Sequence, residues 1–492
     1  MKDDLPKGWV EITLHEAGVW CSGGTPSRRR PEFFGKGVPW VKSGDLPDGP
    51  ILSTDEEITG LGLQNSSAKL MPPGTISMAL YGATIGKLGV MTFPAATNQA
   101  CANVIPDKRS VESKYLFYYL LSERRHFIEQ GQGGAQPNIS QQIVRSNPFR
   151  LAPLAEQQRI VARLAALLAK VQSCQKRLEQ IPPTLKRFRQ SVLSSSCSGR
   201  LTADWRKENP KVNPASDFVR RTQQERKAAY EAQCAQSGRG GQPKPKRPKN
   251  EFTAFIDEEA DWVPERWCVT RIGDISDCLD HLRVPVNREH RLIRQGSIPY
   301  YGANGQVGTI DDYLFDEDLV LVVEDETFIG REKPFSYVIR GKSWVNNHAH
   351  VLRALGGMPV DFLNIVLSYY DFTPLTSGTT GRRKLTQEAL IDAPLAIPSL
   401  PEQHEIVNRV QALFELADRL ETRYAKAKAY VDDLTQSILA RAFRGVLVPT
   451  EAELAEAERR DFESADELLN RIRAERASND NRRRGHALTS LK

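Results

Sequence analysis

The chain has 492 residues, 40% of them hydrophobic, with 67 Lys and Arg against 61 Asp and Glu for a net charge of +6. This length exceeds what one core usually serves, so two or more domains are expected. No apolar run opens the chain, no window approaches a membrane-spanning helix, and the seven cysteines form no Cys-x-x-Cys pair, which predicts a cytoplasmic protein without a signal peptide, a disulfide framework or a structural zinc site.

Residues 1–152 read as a first mixed α/β domain. Trp9-Val10 starts a strand, Val38-Pro39-Trp40-Val41 is a short apolar strand, and Pro72-Pro73-Gly74 turns into the alternating run 75–80. Tyr81 to Lys87 is a glycine-punctuated hairpin leading to a strand at 88–93, and 115–127 has helical spacing. Small strands with turn signals and one or two helices suggest an α+β layer domain.

A long helix follows within 153–201, its apolar positions stepping by four and three through Ile160, Leu164, Leu167, Val171, Cys174, Leu178, Ile181, Leu185, Phe188 and Val192. Pro182 and Pro183 predict a kink, with the seam resuming at Leu185, because a helical proline removes a backbone bond and clashes with the preceding turn. Residues 202–260 form a basic Pro/Gly-rich linker. From Arg206 to Asn250 there are 12 basic and 4 acidic residues, 12 − 4 = +8, a composition that predicts a mobile tether.

Residues 261–399 repeat the plan of the first domain with diverged content. Trp267 answers to Trp9, Ile298-Pro299-Tyr300-Tyr301 to Val38-Pro39-Trp40-Val41, Asn346-Asn347 to Asn98-Gln99, and the 377–383 loop to the Gly131 loop. A second long helix occupies 400–447 with the seam Ile406, Val410, Leu413, Ala417, Leu420, Tyr424, Ala427, Val431, Leu434 and Ile438. A charged tail, 448–492, closes the chain as a short amphipathic helix (452 to about 473) and a solvated basic end.

The stretches 139–201 and 385–447 align without a gap at an offset of 385 − 139 = 246, with 16 of 63 positions identical. That period is far longer than a solenoid unit and marks a tandem duplication of a domain plus a helix. A seven-residue repeat sustained over four heptads calls for a facing helix, and the other copy supplies one.

No string supports catalysis. Gly82 to Leu88 resembles a phosphate-binding loop but lacks the hydroxyl after Lys87. Asn147-Pro148-Phe149 lacks the second proline of a methyltransferase signature, and Asp107 with Glu112 and Lys114 is too tightly spaced for a nuclease core. His348 and His350 read as structural. What remains is binding through the residue types that read base edges and grip phosphates. The candidates are Arg28, Arg29, Arg30, Lys42, Lys69, Tyr81, Lys87, Gln132, Gln136 and Asn138 in the first domain. In the second they are Arg283, Asn287, Arg288, Arg291, Arg294, Asn304, Arg331, Lys333, Arg382, Arg383 and Lys384.

The layout resembles a specificity subunit of a type I restriction–modification system. The carriers are Pro153-Leu154-Ala155-Glu156-Gln157-Gln158-Arg159-Ile160 and Leu400-Pro401-Glu402-Gln403-His404-Glu405-Ile406, which match the "P-L-x-E-Q-x-x-I" opening of that family's helices. Arg177 to Pro183, then Phe188, Gln190 and Gly199-Arg200-Leu201, are similar to its central region, and Thr84 to Lys87 with Asn98-Gln99-Ala100 to its recognition-domain elements. The resemblance implies two tandem target-recognition domains separated by two long helices that pair as an antiparallel coiled coil with pseudo-twofold symmetry. Each domain reads one half of a split, asymmetric site on double-stranded DNA. The helices, about 45 residues at 1.5 Å rise or roughly 65 Å, fix the spacer. It also implies that two methyltransferase subunits and the restriction subunits carry the catalysis, using S-adenosylmethionine, ATP and Mg²⁺, with no cofactor or metal on this chain. The alternative is a coiled-coil scaffold whose domains bind protein, and a self-sufficient methyltransferase or nuclease is the third class.

Overall fold

The computed structural model describes residues 5–131, 138–240, 252–326, 328, 330–331, 334–378 and 383–475. The chain divides into two compact units, one built from 1–179 with 425–492 and one from 180–424.

In the first unit, Ile76–Ala79 is buried at every position and forms the middle of a five-stranded sheet. Its one polar residue, Ser77, is buried as well and donates to Asn103 Oδ1 at 2.7 Å. The sheet order is Gly18–Ser22, Cys101–Pro106, Ile76–Ala79, Leu88–Met91 and Gly49–Ile51, antiparallel except for the last pair. A three-stranded sheet of Glu56–Ile58, Phe34–Val41 and Ala96–Thr97 stands beside it, and Val10–Thr13 pairs with Pro148–Leu151. The helix expected at 115–127 is two helices, Ser113–Ser122 and Arg124–Gln130.

The second unit repeats this plan. Leu319–Val323 is the fully buried strand of a sheet ordered Ser276–Cys278, Ala349–Ala354, Leu319–Val323 and Ser336–Ile339. A second sheet runs Gly305–Ile310, Ile298–Gly302, Lys342–Val345 and Phe315–Asp316. Single hydrogen bonds fix the equivalence. Asn98 N–H donates to Val41 O at 3.0 Å and Asn346 N–H to Tyr301 O at 3.1 Å; Ile139 N–H donates to Leu80 O at 2.9 Å and Leu385 N–H to Glu324 O at 2.8 Å.

The first long helix, Leu154–Leu178, belongs to the first unit. A new helix, Ile181–Cys197, then begins with the prolines in its first turn, where a missing N–H costs nothing. The second copy has no such break and runs as one helix, Leu400–Phe443, its residues up to Tyr424 in the second unit and the rest in the first. Within the first unit Ile160 and Leu164 share a core with Leu439, Ala442 and Phe443, while Gln175 donates to Asp432 at 3.4 Å. Within the second, Val192 and Leu193 share a core with Ile406, Val407 and Val410, and Arg189 pairs with Asp418 at 2.8 Å and Glu421 at 3.1 Å. Rising numbers on one helix meet falling numbers on the other, so the packing in each unit is antiparallel.

Of the seam positions, Ile160, Leu164, Val171, Leu185, Ile406, Val410 and Val431 are buried, and Leu167, Leu178, Leu413 and Leu434 are half-buried. Leu420 departs from the heptad expectation at 40% exposure. A straight helix drifts by about 20° per heptad from a strict seven-residue stripe, which carries some seam positions outward.

Two further expectations change. The stretch after the first helix pair is not a plain tether: Ala203–Glu208 and Ala215–Gly240 are helical, and Ala215, Phe218 and Val219 enter the core of the second unit. The Pro/Gly-rich part of the linker, 241–251, lies outside the described residues. The tail is not a single solvated helix either. Glu451–Glu458 ends at Arg459 with φ 52°, a second helix covers 465–475, and Ala465, Leu468, Leu469 and Ile472 are buried. Their spacing of three, one and three makes one apolar stripe amid the Arg and Glu residues. Ala465 N–H donates to Gly8 O at 2.9 Å, and Arg473 pairs with Glu16 at 2.7 Å.

Among the described residues, no helix is long and apolar enough to cross a membrane.

Candidate nucleic-acid interface

Each recognition surface rests on a buried polar anchor at the start of a long helix. In the first unit, Trp9 Nε1 donates to Glu156 Oε1 at 3.0 Å, and Glu156 Oε2 accepts Glu451 N–H at 2.8 Å. Burial pushes the Glu156 carboxyl above its ordinary value, against the pull of these two donors. Gln157 donates to Ser110 O and Ala152 O and accepts Glu112 N–H. In the second unit, Trp267 Nε1 donates to Glu402 Oε2 at 3.1 Å, and Glu402 Oε1 accepts Thr202 Oγ1 at 2.7 Å and Arg206. Gln403 donates to Pro398 O, but its Oε1 is buried without a partner. The Glu that opens each helix thus ties that helix to the indole heading its domain, and the Gln beside it binds nearby backbone. A buried carboxylate is tolerable only with such donors.

On the first unit, Arg28 and Lys42 converge on Glu56 at 2.7 and 2.9 Å. The Arg28 guanidinium also lies 4.3 Å from the Phe34 ring and 5.2 Å from Trp40. Arg30 lies 5.6 Å from the Phe33 ring, and Arg29, Lys69 and Tyr81 are exposed. Tyr81 bridges Asn138 through the backbone, which sets these two beside each other, and Lys87 is half-buried. The loop carrying Lys87 holds a single 3₁₀ turn, Gly82–Thr84, and leads into strand Leu88–Met91, so it has no helix N-terminus to cradle a phosphate. The Asn147 side chain is taken up by Ile143 O and His126.

On the second unit, Arg291 stacks 4.5 Å from the Tyr300 ring, the strand position equivalent to Trp40, and donates to Val286 O. Arg294 lies over Trp344 at 4.7 Å and pairs with Asp311 at 2.7 Å. Asn287 caps the short helix Arg288–Ile293, leaving Arg288 exposed, and Asn304 accepts from Arg331 at 2.7 Å. Arg383 is held by Thr376. Arg283 and Lys384 converge on Glu324 at 2.5 and 3.0 Å, and Arg283 also pairs with Asp280 at 3.3 Å. Burial pushes Asp280 and Glu324 up, but donors outweigh it (His350 for Asp280, Arg283 and Lys384 for Glu324), and both carboxyls stand below their ordinary values. Gln132, Gln136, Lys333 and Arg382 lie outside the described residues.

The candidates therefore fall into two kinds. Arg29, Arg30, Lys69 and Arg288 point their charge to solvent, whereas Arg283, Arg294 and Arg383 are engaged within the fold. Their acidic partners, Glu56, Glu324, Asp280 and Asp311, went unrecognised in the sequence, since nothing in local spacing signals a pair formed between distant strands.

The family model described as "Type I restriction modification DNA specificity domain" matches residues 6–182 and again 264–428. The chain is similar to the type I restriction enzyme EcoDI specificity subunit of Escherichia coli, 29% identical over 407 residues, 80% of this chain and 83% of that one. It is similar to the EcoKI specificity subunit of Escherichia coli (strain K12), 27% identical over 489 residues, 96% of this chain and 97% of that one. Among solved structures, a chain from a study of complex assembly and conformational transition of the type I R-M system matches with a TM-score of 0.61 at 17% identity, covering 90% of this chain and 99% of that one. The HsdS subunit of Thermoanaerobacter tengcongensis matches with a TM-score of 0.53 at 16% identity, over 90% and 98%.

Proposed function

The chain belongs to the type I restriction–modification DNA specificity family, and on that premise we propose that it is the non-catalytic reader of a type I restriction–modification complex. Each recognition domain reads one half of a bipartite, asymmetric DNA site, and the helix pair sets the unread spacer between halves. Adenine methylation and ATP-driven cleavage belong to partners: two methyltransferase subunits and the restriction subunits, which use S-adenosylmethionine, ATP and Mg²⁺ in the cytoplasm.

The observation that carries this reading is the duplication itself. The anchors Trp9–Glu156 and Trp267–Glu402 repeat, as do the backbone bonds of Asn98 and Asn346. The exposed side chains around them do not. One scaffold bearing two dissimilar basic surfaces suits two dissimilar half-sites. Cation–aromatic stacks at Trp40 and Tyr300 place a guanidinium on the same strand position in both units.

Methylome sequencing tests the proposal in a host that expresses this chain with its modification partner, beside a host lacking only this chain. A new split motif around a fixed gap is the expected result. Exchanging 1–152 for the first domain of another family member should then change one half of the motif alone. Absence of any new motif, with the partner expressed and assembled, overturns the reading in favour of a protein-binding scaffold.

A further inference from the structure

Three side chains of metal-ligating type meet in the second unit. The Cys278 thiol, an Asp280 carboxylate oxygen and a His350 ring nitrogen all lie within 4.8 Å of one another. They come from a strand end, a turn and a neighbouring strand, 70 residues or more apart between His350 and the other two. Glu324, just past the end of the adjoining strand Leu319–Val323, places Oε2 3.9 Å from His350 Nδ1.

The first unit has no ionisable cluster at this corner: three of the four positions are apolar and the fourth, that of Asp280, is Ser22, which bonds to Gln141. Strand registers match Val322↔His350 with Met78↔Ala102, and Cys278↔Leu352 with Trp20↔Val104. Leu385 bonds to Glu324 O as Ile139 bonds to Leu80 O. Cys278, Glu324 and His350 therefore stand where the first copy has Trp20, Leu80 and Ala102, which pack into its main core. A fold that accepts an uncharged corner here gains no stability from ionic groups as such, because their desolvation offsets their attraction.

The neighbours aim these donors as ligands are aimed. His350 Nε2 faces Leu385 O at 2.9 Å, and Asp280 Oδ1 accepts Val351 N–H at 2.9 Å. These bonds leave His350 Nδ1 and Asp280 Oδ2 turned toward each other at 2.5 Å. Both ring nitrogens thus face acceptors, so the ring requires either a second proton or a cation between Nδ1 and the carboxylate. A histidine whose far nitrogen donates to a backbone carbonyl is the usual posture of a metal-bound imidazole.

We propose that Cys278, Asp280, His350 and Glu324 form a site for one zinc-class divalent cation. Thiolate, imidazole and carboxylate together suit Zn²⁺ rather than Mg²⁺ or Ca²⁺. On binding, the Cys278 S–H and His350 Nδ1–H bonds break, sulfur and nitrogen keep their electron pairs for the metal, and both protons leave to solvent while Nε2 keeps its own on Leu385 O. Metal–donor bonds of about 2.0 to 2.3 Å need ligand atoms roughly 3.3 to 3.8 Å apart in a tetrahedron, so Nδ1 and Oδ2 separate by about 0.8 Å. Arg283, which pairs with Glu324 and with Asp280 Oδ2 at 3.3 Å, gives up these pairings to the ion and keeps Ala349 O, while Lys384 turns to solvent. Through Leu385 the ion holds the strand Arg383–Lys384 against Asp325–Glu326, and so steadies the second recognition surface. Only this last step rests on the DNA-reading role. The site departs from the expectation of a metal-free chain, which rested on the missing Cys-x-x-Cys pair.

The full chain, or its complex with modification partners, is purified without chelator for metal analysis, then stripped and titrated with Co²⁺. One zinc per chain and a thiolate-to-cobalt charge-transfer band are expected, with affinity at least about tenfold weaker in Cys278→Ser and in His350→Gln. Wild-type protein with no zinc and no charge-transfer band overturns the site and leaves an imidazolium-centred ion network. A band of equal strength in Cys278→Ser overturns it as well, by placing the metal at another cysteine. Both readouts are independent of DNA, so a failed specificity role does not mimic a failed metal site.

Discussion

Trp9 donates its indole N–H to Glu156 Oε1 at 3.0 Å, joining residues 147 apart in sequence. The bond fastens the first strand of a recognition domain to the first turn of its helix, with no solvent to replace a lost partner. Trp9→Phe keeps most of the ring and removes the donor. The expected loss is about 1 to 3 kcal/mol, read as a lower urea midpoint by circular dichroism of the full chain. An unchanged midpoint would show that the anchor holds nothing.

The tail should confer an acid-sensitive contribution. Burial pushes the Glu451 carboxyl up, but hydrogen bonds from Arg159 at 2.6 Å and from Arg460 at 2.7 Å outweigh it and hold the carboxyl below its ordinary value. A carboxyl with a depressed folded pKa stabilises above its unfolded pKa and loses that contribution as pH falls through the folded one. Arg159→Gln should therefore cost about 1 kcal/mol at pH 7, after allowance for the guanidinium's partial exposure. The variant and the parent should converge as pH falls from about 5 to 3. A gap that stays constant across that window contradicts the assignment.

Helix pairing separates seam positions that look alike in sequence. Leu164 is fully buried, whereas Leu420 is 40% exposed. Leu164→Asp places a carboxylate among Ile160, Leu439 and Ala442 and should cost at least about 3 kcal/mol. Leu420→Asp should stay within about 0.5 kcal/mol. Thermal melts distinguish them. If the helix pair sets the spacer, a folded Leu164→Asp protein should also relax the gap in its methylation motif, and an unaltered gap would remove the ruler.

These contrasts mark what the residues disclosed by themselves. The duplication was legible because its identities fall on Glu156 and Glu402, Gln157 and Gln403, and Ile160 and Ile406, all buried at helix starts. The prolines disclosed an interruption, but as a kink rather than the end of one helix and the start of another, because proline is also at home in a first helical turn. The corner formed by Asp280, Glu324 and His350 was not, since its members meet only through strand order. Nor was docking of the tail, whose stripe of Ala465, Leu468, Leu469 and Ile472 is diluted by charge in composition. Even a recognised heptad left the fate of Leu420 open, because helix drift decides which seam positions stay inside.

Exposure also sorts the arginines that the sequence offered as equals. The Arg283 side chain is 12% exposed and is held between Asp280 and Glu324, themselves 8% and 9% exposed. Removing it leaves two buried carboxylates short of a cation, so Arg283→Ala should destabilise the second unit by about 3 to 5 kcal/mol. Arg29 is exposed and, among the described residues, makes no ion pair or hydrogen bond. Arg29→Ala should leave the melting temperature unchanged. If Arg29 grips a phosphate, the variant should weaken binding to all DNA sequences about equally and lower the slope of log affinity against log salt by roughly 1. If it reads a base, the loss should instead be confined to one position of one half-site, by about 1 to 3 kcal/mol. Titrations at several salt concentrations with the cognate site and its single-base variants separate these outcomes, and full affinity in all of them would remove Arg29 from the interface.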